Sequence, residues 1–226
     1  MADKIAEEDN SCLRISLYAR PEILTHFYAI FQSGFRFRCQ VGKSIEDLLL
    51  RQLALNPRFI EENVNTIFLD GKCVDDISSA ILSENCVAAF SSALPGLAGA
   101  TLRRGGAYAC LRDSITHKKN DRPDAQREGF ITIKLFNLLM GELGKVFFEK
   151  GVVLDRSTAV DLFKRSDEGF WRKVDMIEVG GIESSRDKIL AEIKFASYDQ
   201  IMISAVMNGS HRGNNSCNDS IAKNMD

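Results

Sequence analysis

The chain has 226 residues, 45% hydrophobic and 27% charged, with a net charge of −2. That is enough apolar material for one large or two small cores. The near-neutral balance argues against nucleic acid as a partner, and no apolar run approaches the roughly 18 residues that span a bilayer.

The N-terminus is acidic and lacks the basic start and apolar stretch of a secretory signal, so a cytoplasmic location is expected. Residues 1–11 are polar and too short to bury anything, and read as a flexible tail. Leu13 to Tyr18 alternates and predicts a strand. Pro21 opens the apolar run Ile23 to Phe31, which reads as a short helix or an extended segment, with helix preferred. Gly34 turns the chain, and Phe35 to Val41 alternates as a strand.

Ser44, followed by Asp47 three residues later, is close to a capping box and starts a helix. Ile45, Leu48, Leu49 and Leu53 supply its apolar stripe. That helix should fade near Asn56-Pro57, because the residue before proline is pushed out of the α region. Asn65 to Leu69 is a strand. Asp70-Gly71 predicts a tight hairpin needing positive φ at both positions. Cys86 to Phe90 closes the first half, and Pro95-Gly-Leu-Ala-Gly99 trails from it.

Residues 107–128 change character. Ala107 to Ile115 reads as a short helix or strand, and His117 to Glu128 as a polar, proline-containing linker. The cations Arg103, Arg104, Arg112, Lys118, Lys119 and Arg122 read as a solvated run, too poor in aromatics for a single-strand binding groove.

The second half repeats the pattern at an offset near 110 residues. Ile131 to Leu135 answers Leu13 to Leu17, and Leu138 to Phe148 answers Ile23 to Phe31. Gly151 to Leu154 answers the Phe35 strand. Ser157 is expected to cap a helix over Ala159 to Phe163. Asp175 to Gly181 lines up with Asn65 to Gly71, and Gln200 to Ser204 with Cys86 to Phe90. Phe170 and Trp171 read as core anchors.

Strand, capped helix, hairpin, closing strand and glycine-bearing tail, in that order over Gly34 to Gly99, resemble the β-grasp fold of ubiquitin-like proteins. Val87 to Ala100 resembles the end of the small sulfur-carrier proteins of molybdopterin and thiamine biosynthesis. In that family a terminal glycine carboxylate is adenylated and converted to a thiocarboxylate. Here Ala100 stands where the second glycine is expected, and the chain continues. Leu102-Arg-Arg-Gly-Gly106 is similar to the Leu-Arg-Gly-Gly ending of ubiquitin.

The expected fold is therefore α+β, with two tandem β-grasp-like domains joined by a polar linker. They span 12–106 and 129–208, the linker is 107–128, the tails are 1–11 and 209–226, and each half is expected to fold alone. The expected function is non-enzymatic: an adaptor that presents a sheet face, or its inter-domain segment, to another protein. The alternative is a carrier or modifier released by cleavage after Gly106, with Arg103, Arg104, Gly105 and Gly106 as its working tail. No catalytic set is found. The six cysteines contain no C-x-x-C pair and His26, His117 and His211 are scattered, so neither metal nor cofactor is expected.

Overall fold

The computed structural model describes residues 12–92, 94–117 and 125–207. The expected tails with His211 and Cys217, and Lys118, Lys119 and Arg122, lie outside the described residues. The strands form one ten-stranded mixed sheet. They are β1 (Leu13–Ala19), β2 (Phe35–Val41), β3 (Thr66–Leu69), β4 (Lys72–Cys73), β5 (Val87–Ser91), β6 (Arg127–Phe136), β7 (Val152–Asp155), β8 (Val174–Val179), β9 (Ile182–Ser184) and β10 (Gln200–Met207). Their order across the sheet is β4-β3-β5-β6-β2-β7-β10-β1-β8-β9.

Two strands are exchanged across the expected domain boundary. β6, from the second half of the chain, lies between β5 and β2 of the first. β1, from the first half, lies between β10 and β8 of the second. The buried apolar residues form one cluster spanning both chain halves. The segments 12–106 and 129–208 therefore contribute to each other's sheets, and neither carries a complete set of strands.

The pairing is two-fold symmetric about the junction of β2 and β7, where Arg36 faces Val153. On each side an antiparallel neighbour (β6 or β10) is followed by a parallel strand (β5 or β1). Then come an antiparallel strand (β3 or β8) and its hairpin partner (β4 or β9). The sequence repeat is corrected by this register. The correspondences of β2 with β7 and of the β3–β4 hairpin with β8–β9 are those the sequence suggests. The other two are crossed: β6 corresponds to β10, and β5 to β1.

One register of the sheet is apolar and covered by helices. Phe35, Phe37, Ile131, Ile133, Ile15 and Ile203 belong to it, all buried. The 3₁₀ turn Pro21–Phe27 runs into α1 (Tyr28–Ser33), which packs on β6 and on α5 (Leu139–Lys150). Phe27 and Phe148 meet there with ring centroids 4.2 Å apart. Ser44 caps α2 (Ile45–Asp47) through the Asp47 N–H. The helix then widens to a π turn over Leu48–Gln52, with the Leu53 N–H reaching the Leu48 carbonyl. This carries Leu48, Leu49 and Leu53 onto the sheet. A further helix, α3 (Pro57–Asn63), starts at an Asn56 cap.

After β5 come α4 (Gly96–Leu102) and a 3₁₀ segment, Ala109–Ile115. In the second half, α6 (Arg156–Arg165) begins at Asp155, so Ser157 lies inside the helix and does not cap it. Next come α7 (Glu168–Trp171), which buries Phe170, and α8 (Arg186–Phe195), which the sequence reading lacks. Asp70 and Gly71 both have positive φ, 49° and 76°, as the turn requires.

Candidate functional site

Two features stand outside the helix-covered core: the other face of the sheet, and the strap from Gly96 to His117 at one edge. The strap is anchored from within. Arg112 is 3% exposed, and its Nη2 lies 2.6 Å from Asp75 Oδ1. It also donates to the Thr101 carbonyl at 2.7 Å and to Thr116 Oγ1 at 3.1 Å. The chain breaks helical geometry at Arg112 to allow this (φ −122°, ψ 26°). Thr116 then bridges Cys73, and the His117 N–H donates to the Cys73 carbonyl at 2.7 Å. The strap thus covers edge strand β4, which would otherwise offer unpaired backbone groups. Burial pushes the Cys73 thiol up, and the Arg112 cation partly offsets this.

The four tail residues singled out in the sequence sit in this strap and are tied into it. The Gly105 N–H donates to Asp75 Oδ1 at 3.0 Å, and the Arg104 N–H to the Asn65 carbonyl at 2.8 Å. The Gly106 N–H returns to the Arg103 carbonyl at 3.1 Å, and that carbonyl also faces Arg112 at 3.4 Å. Gly105 has φ +62°, a left-handed conformation suited to glycine. The reading of Arg112 as part of a solvated run is overturned: it is the buried hub. A lone arginine in a polar sequence gives no sign of this, because its partners are separated from it in the chain.

The outer side of the strap carries large apolar side chains beside the exposed Arg103. Leu97 is 75% exposed and Leu111 71%, and Tyr108 and Ile115 also face solvent. Together they are four of the eight large hydrophobic residues exposed among the described residues. The break in helical geometry at Arg112 lets its side chain turn inward while Tyr108, Leu111 and Ile115 stay solvent-facing.

A cleft of about 300 Å³ opens elsewhere, between α1 and α6, lined by His26, Ile30, Asp161, Leu162 and Arg165 among others. Lys173 Nζ lies 2.8 Å from His26 Nε2. Burial and then the Lys173 cation hold His26 below its usual range. The neutral imidazole thus accepts from the lysine. Residues 26 and 173 are too far apart in sequence for spacing to reveal this pair. Among the described residues no group of three or more His, Cys, Asp or Glu side chains is placed to hold a metal ion. No helix among them is long and apolar enough to cross a membrane.

Comparison of the chain with protein-family models, curated proteins and solved structures found no match.

Proposed function

We propose that this is a non-enzymatic binding protein, built on β-grasp-like halves, whose strap docks another protein. The observation that carries this reading is the strap's two-sidedness. Arg112 fixes its inner side by a buried ion pair and carbonyl bonds, while Leu97, Tyr108, Leu111 and Ile115 point outward. Apolar side chains held out by a rigid support need little ordering on binding, which favours affinity.

Release of a carrier by cleavage after Gly106 has less support. The cut would separate Arg112 from Thr101 and Asp75, and would detach β6 from its neighbours β5 and β2. The freed fragment would also keep β1, whose pairing partners lie in the other fragment.

The test is a photocrosslinking residue placed at Leu111 in the native host, with a control at Phe195, which is more solvent-exposed still. One discrete protein adduct is expected at position 111, suppressed by Leu97→Asp and absent at 195. Adducts equal at both positions, or none at 111, would sink the proposal.

A further inference from the structure

The symmetric pairing makes each residue on one side of the β2–β7 junction comparable with a counterpart on the other. On the helix-covered register the counterparts agree in kind. Phe37 answers Leu154, Ile131 answers Ile201, and Phe90 answers Leu17. Packing imposes that agreement. The open register is half-buried or exposed except at Val153 and, near the strap, at Thr66, Ser91 and Cys73.

On the open register the counterparts differ in kind, and five pairs place a ring or a cation on the β2 side alone. Arg36 answers Val153, and Lys134 answers Ser204. Phe130 answers Gln200, Phe68 answers Glu178, and Phe136 answers Val206. The side made of β4, β3, β5, β6 and β2 thus gathers three phenylalanine rings and two cations, while the other side carries Tyr18 and Arg14 on β1, where the β2 side has Ser91 and Val87. The β2-side groups are also adjacent. The Arg36 guanidinium lies over the Phe130 ring at 4.5 Å. Lys134 lies beside Ala89, and Ala89 beside Phe68. Lys134 also runs across Gly34, which has no side chain to obstruct it. Phe130 and Phe136, six residues apart on one strand, are separated by about 20 Å. Arg38 is already paired with Glu128, which leaves Arg36 and Lys134 as the principal cations.

We infer that this open half-face binds single-stranded nucleic acid, with bases stacked on Phe68, Phe130 and Phe136 and phosphates held by Arg36 and Lys134. Rings supply sequence-tolerant stacking and cations follow the backbone, which is the combination such a surface needs. The net charge of −2 averages over the molecule and conceals this local excess. A double helix is the poorer occupant, because its bases are stacked on one another and present no free face.

The test uses the full chain and fluorescein-labelled oligo(dT) and oligo(U) of about twelve nucleotides, within the range one such surface engages. Anisotropy should rise at low salt with micromolar affinity. Two neutralised phosphates, at a slope near −0.7 each, predict about a sevenfold loss between about 50 and 200 mM salt. Phe130→Leu keeps an apolar side chain but removes the ring, and should weaken binding about tenfold. Arg36→Gln should weaken binding and flatten the salt dependence, and Ser204→Ala on the other half should change nothing. Melting curves of each variant separate loss of binding from loss of fold. No anisotropy change with either oligonucleotide overturns the inference. So does binding that Phe130→Leu and Arg36→Gln both leave intact. A crosslinker at Phe130 that captures a protein, while both oligonucleotides fail, would give the face to a protein partner and also overturn it.

Discussion

The two halves of the sheet share a pairing diagram but differ in what they add to it. The β2 half has a strap over its outer strand and an aromatic, cationic open face. The β7 half ends in β9, where Ile182 is 74% exposed, and its open face carries Met202, Ser204 and Glu178 together with Arg14 and Tyr18 of β1. Only the helix-facing register is alike in both. Packing constrains that register alone, because a one-residue slip would turn every apolar side chain to solvent. The open face and the edges are free to specialise.

The largest test concerns the exchange of strands. If β1 and β6 are as integral as their pairing indicates, residues 12–106 and 128–208 expressed apart should show no cooperative unfolding. Each lacks a strand that two neighbours require, and an incomplete sheet leaves backbone groups unpaired. Mixing the fragments should restore a single transition by circular dichroism. Two independent transitions would mean that the shared sheet is not a folding unit.

Next in size is the strap, present on one half only. Arg112→Ala removes the cation from a buried pair and frees two carbonyls and a hydroxyl. Asp75 is one-third exposed and regains some hydration, so a loss of about 3 kcal/mol is expected in urea unfolding. Limited proteolysis should then cut between Gly96 and His117. An unchanged midpoint with an uncut strap would show that Arg112 is not the anchor.

A third experiment asks whether the halves are equivalent where they look it. Gly34 and Gly151 each end a helix and open a strand, with φ of +114° and +104°. An added Cβ at Gly34 would meet Thr132 at 3.0 Å, and one at Gly151 would meet Met202 at 3.0 Å. Gly34→Ala and Gly151→Ala should each cost roughly 1–3 kcal/mol, since both force an L-residue to positive φ. Costs differing by more than the smaller of the two would break the equivalence at the junction.

Local signals carried much of this fold in the sequence, and pairing partners were invisible. Phe35 to Val41 alternates, Ser44 caps, and Asp70-Gly71 turns, and all three depend on neighbours within a few residues. The exchange of β1 and β6 depends on which apolar strand lies beside which. Ile15, Ile133 and Ile203 look alike in that respect. α8 went unread because its buried face is only Ile189 and Ile193, within a charged stretch. The strap's position was suggested by Arg103 to Gly106, but its hub was not, since a buried arginine has the same letter as a solvated one. The aromatic face was hidden for a related reason: Phe68 and Phe130 lie on strands that become neighbours of neighbours only in the sheet.

The smallest expected effect is a difference in pH response between the halves. Cys39 and Cys86 belong to the β2 half, and burial pushes their thiols up to about 12 and about 11. The native state therefore keeps both protons at a pH where the unfolded chain, with thiols near 9, has released them. When the unfolded state binds fewer protons, stability falls as pH rises. Their contribution is intact below pH 9 and declines above it, by up to about 1.4 kcal/mol per pH unit for each thiol. Acid-side groups lie in both halves: burial holds His117, in the strap, below its usual 6.5, as it does His26. His26 contacts Lys173 and the ring of Phe170, and is held below its usual 6.5. Below pH 6.5 the unfolded chain takes up a proton that the native imidazole refuses, so stability falls with falling pH. Amide exchange near pH 10 should therefore loosen β2, β5 and β6 around the two thiols, and exchange near pH 5.5 the segment around His26 and Phe170. Cys39→Ala should flatten the alkaline limb alone, and His26→Gln the acid limb alone. If either substitution flattened both limbs, the assignment of the alkaline limb to the buried thiol and of the acid limb to the imidazole would fail.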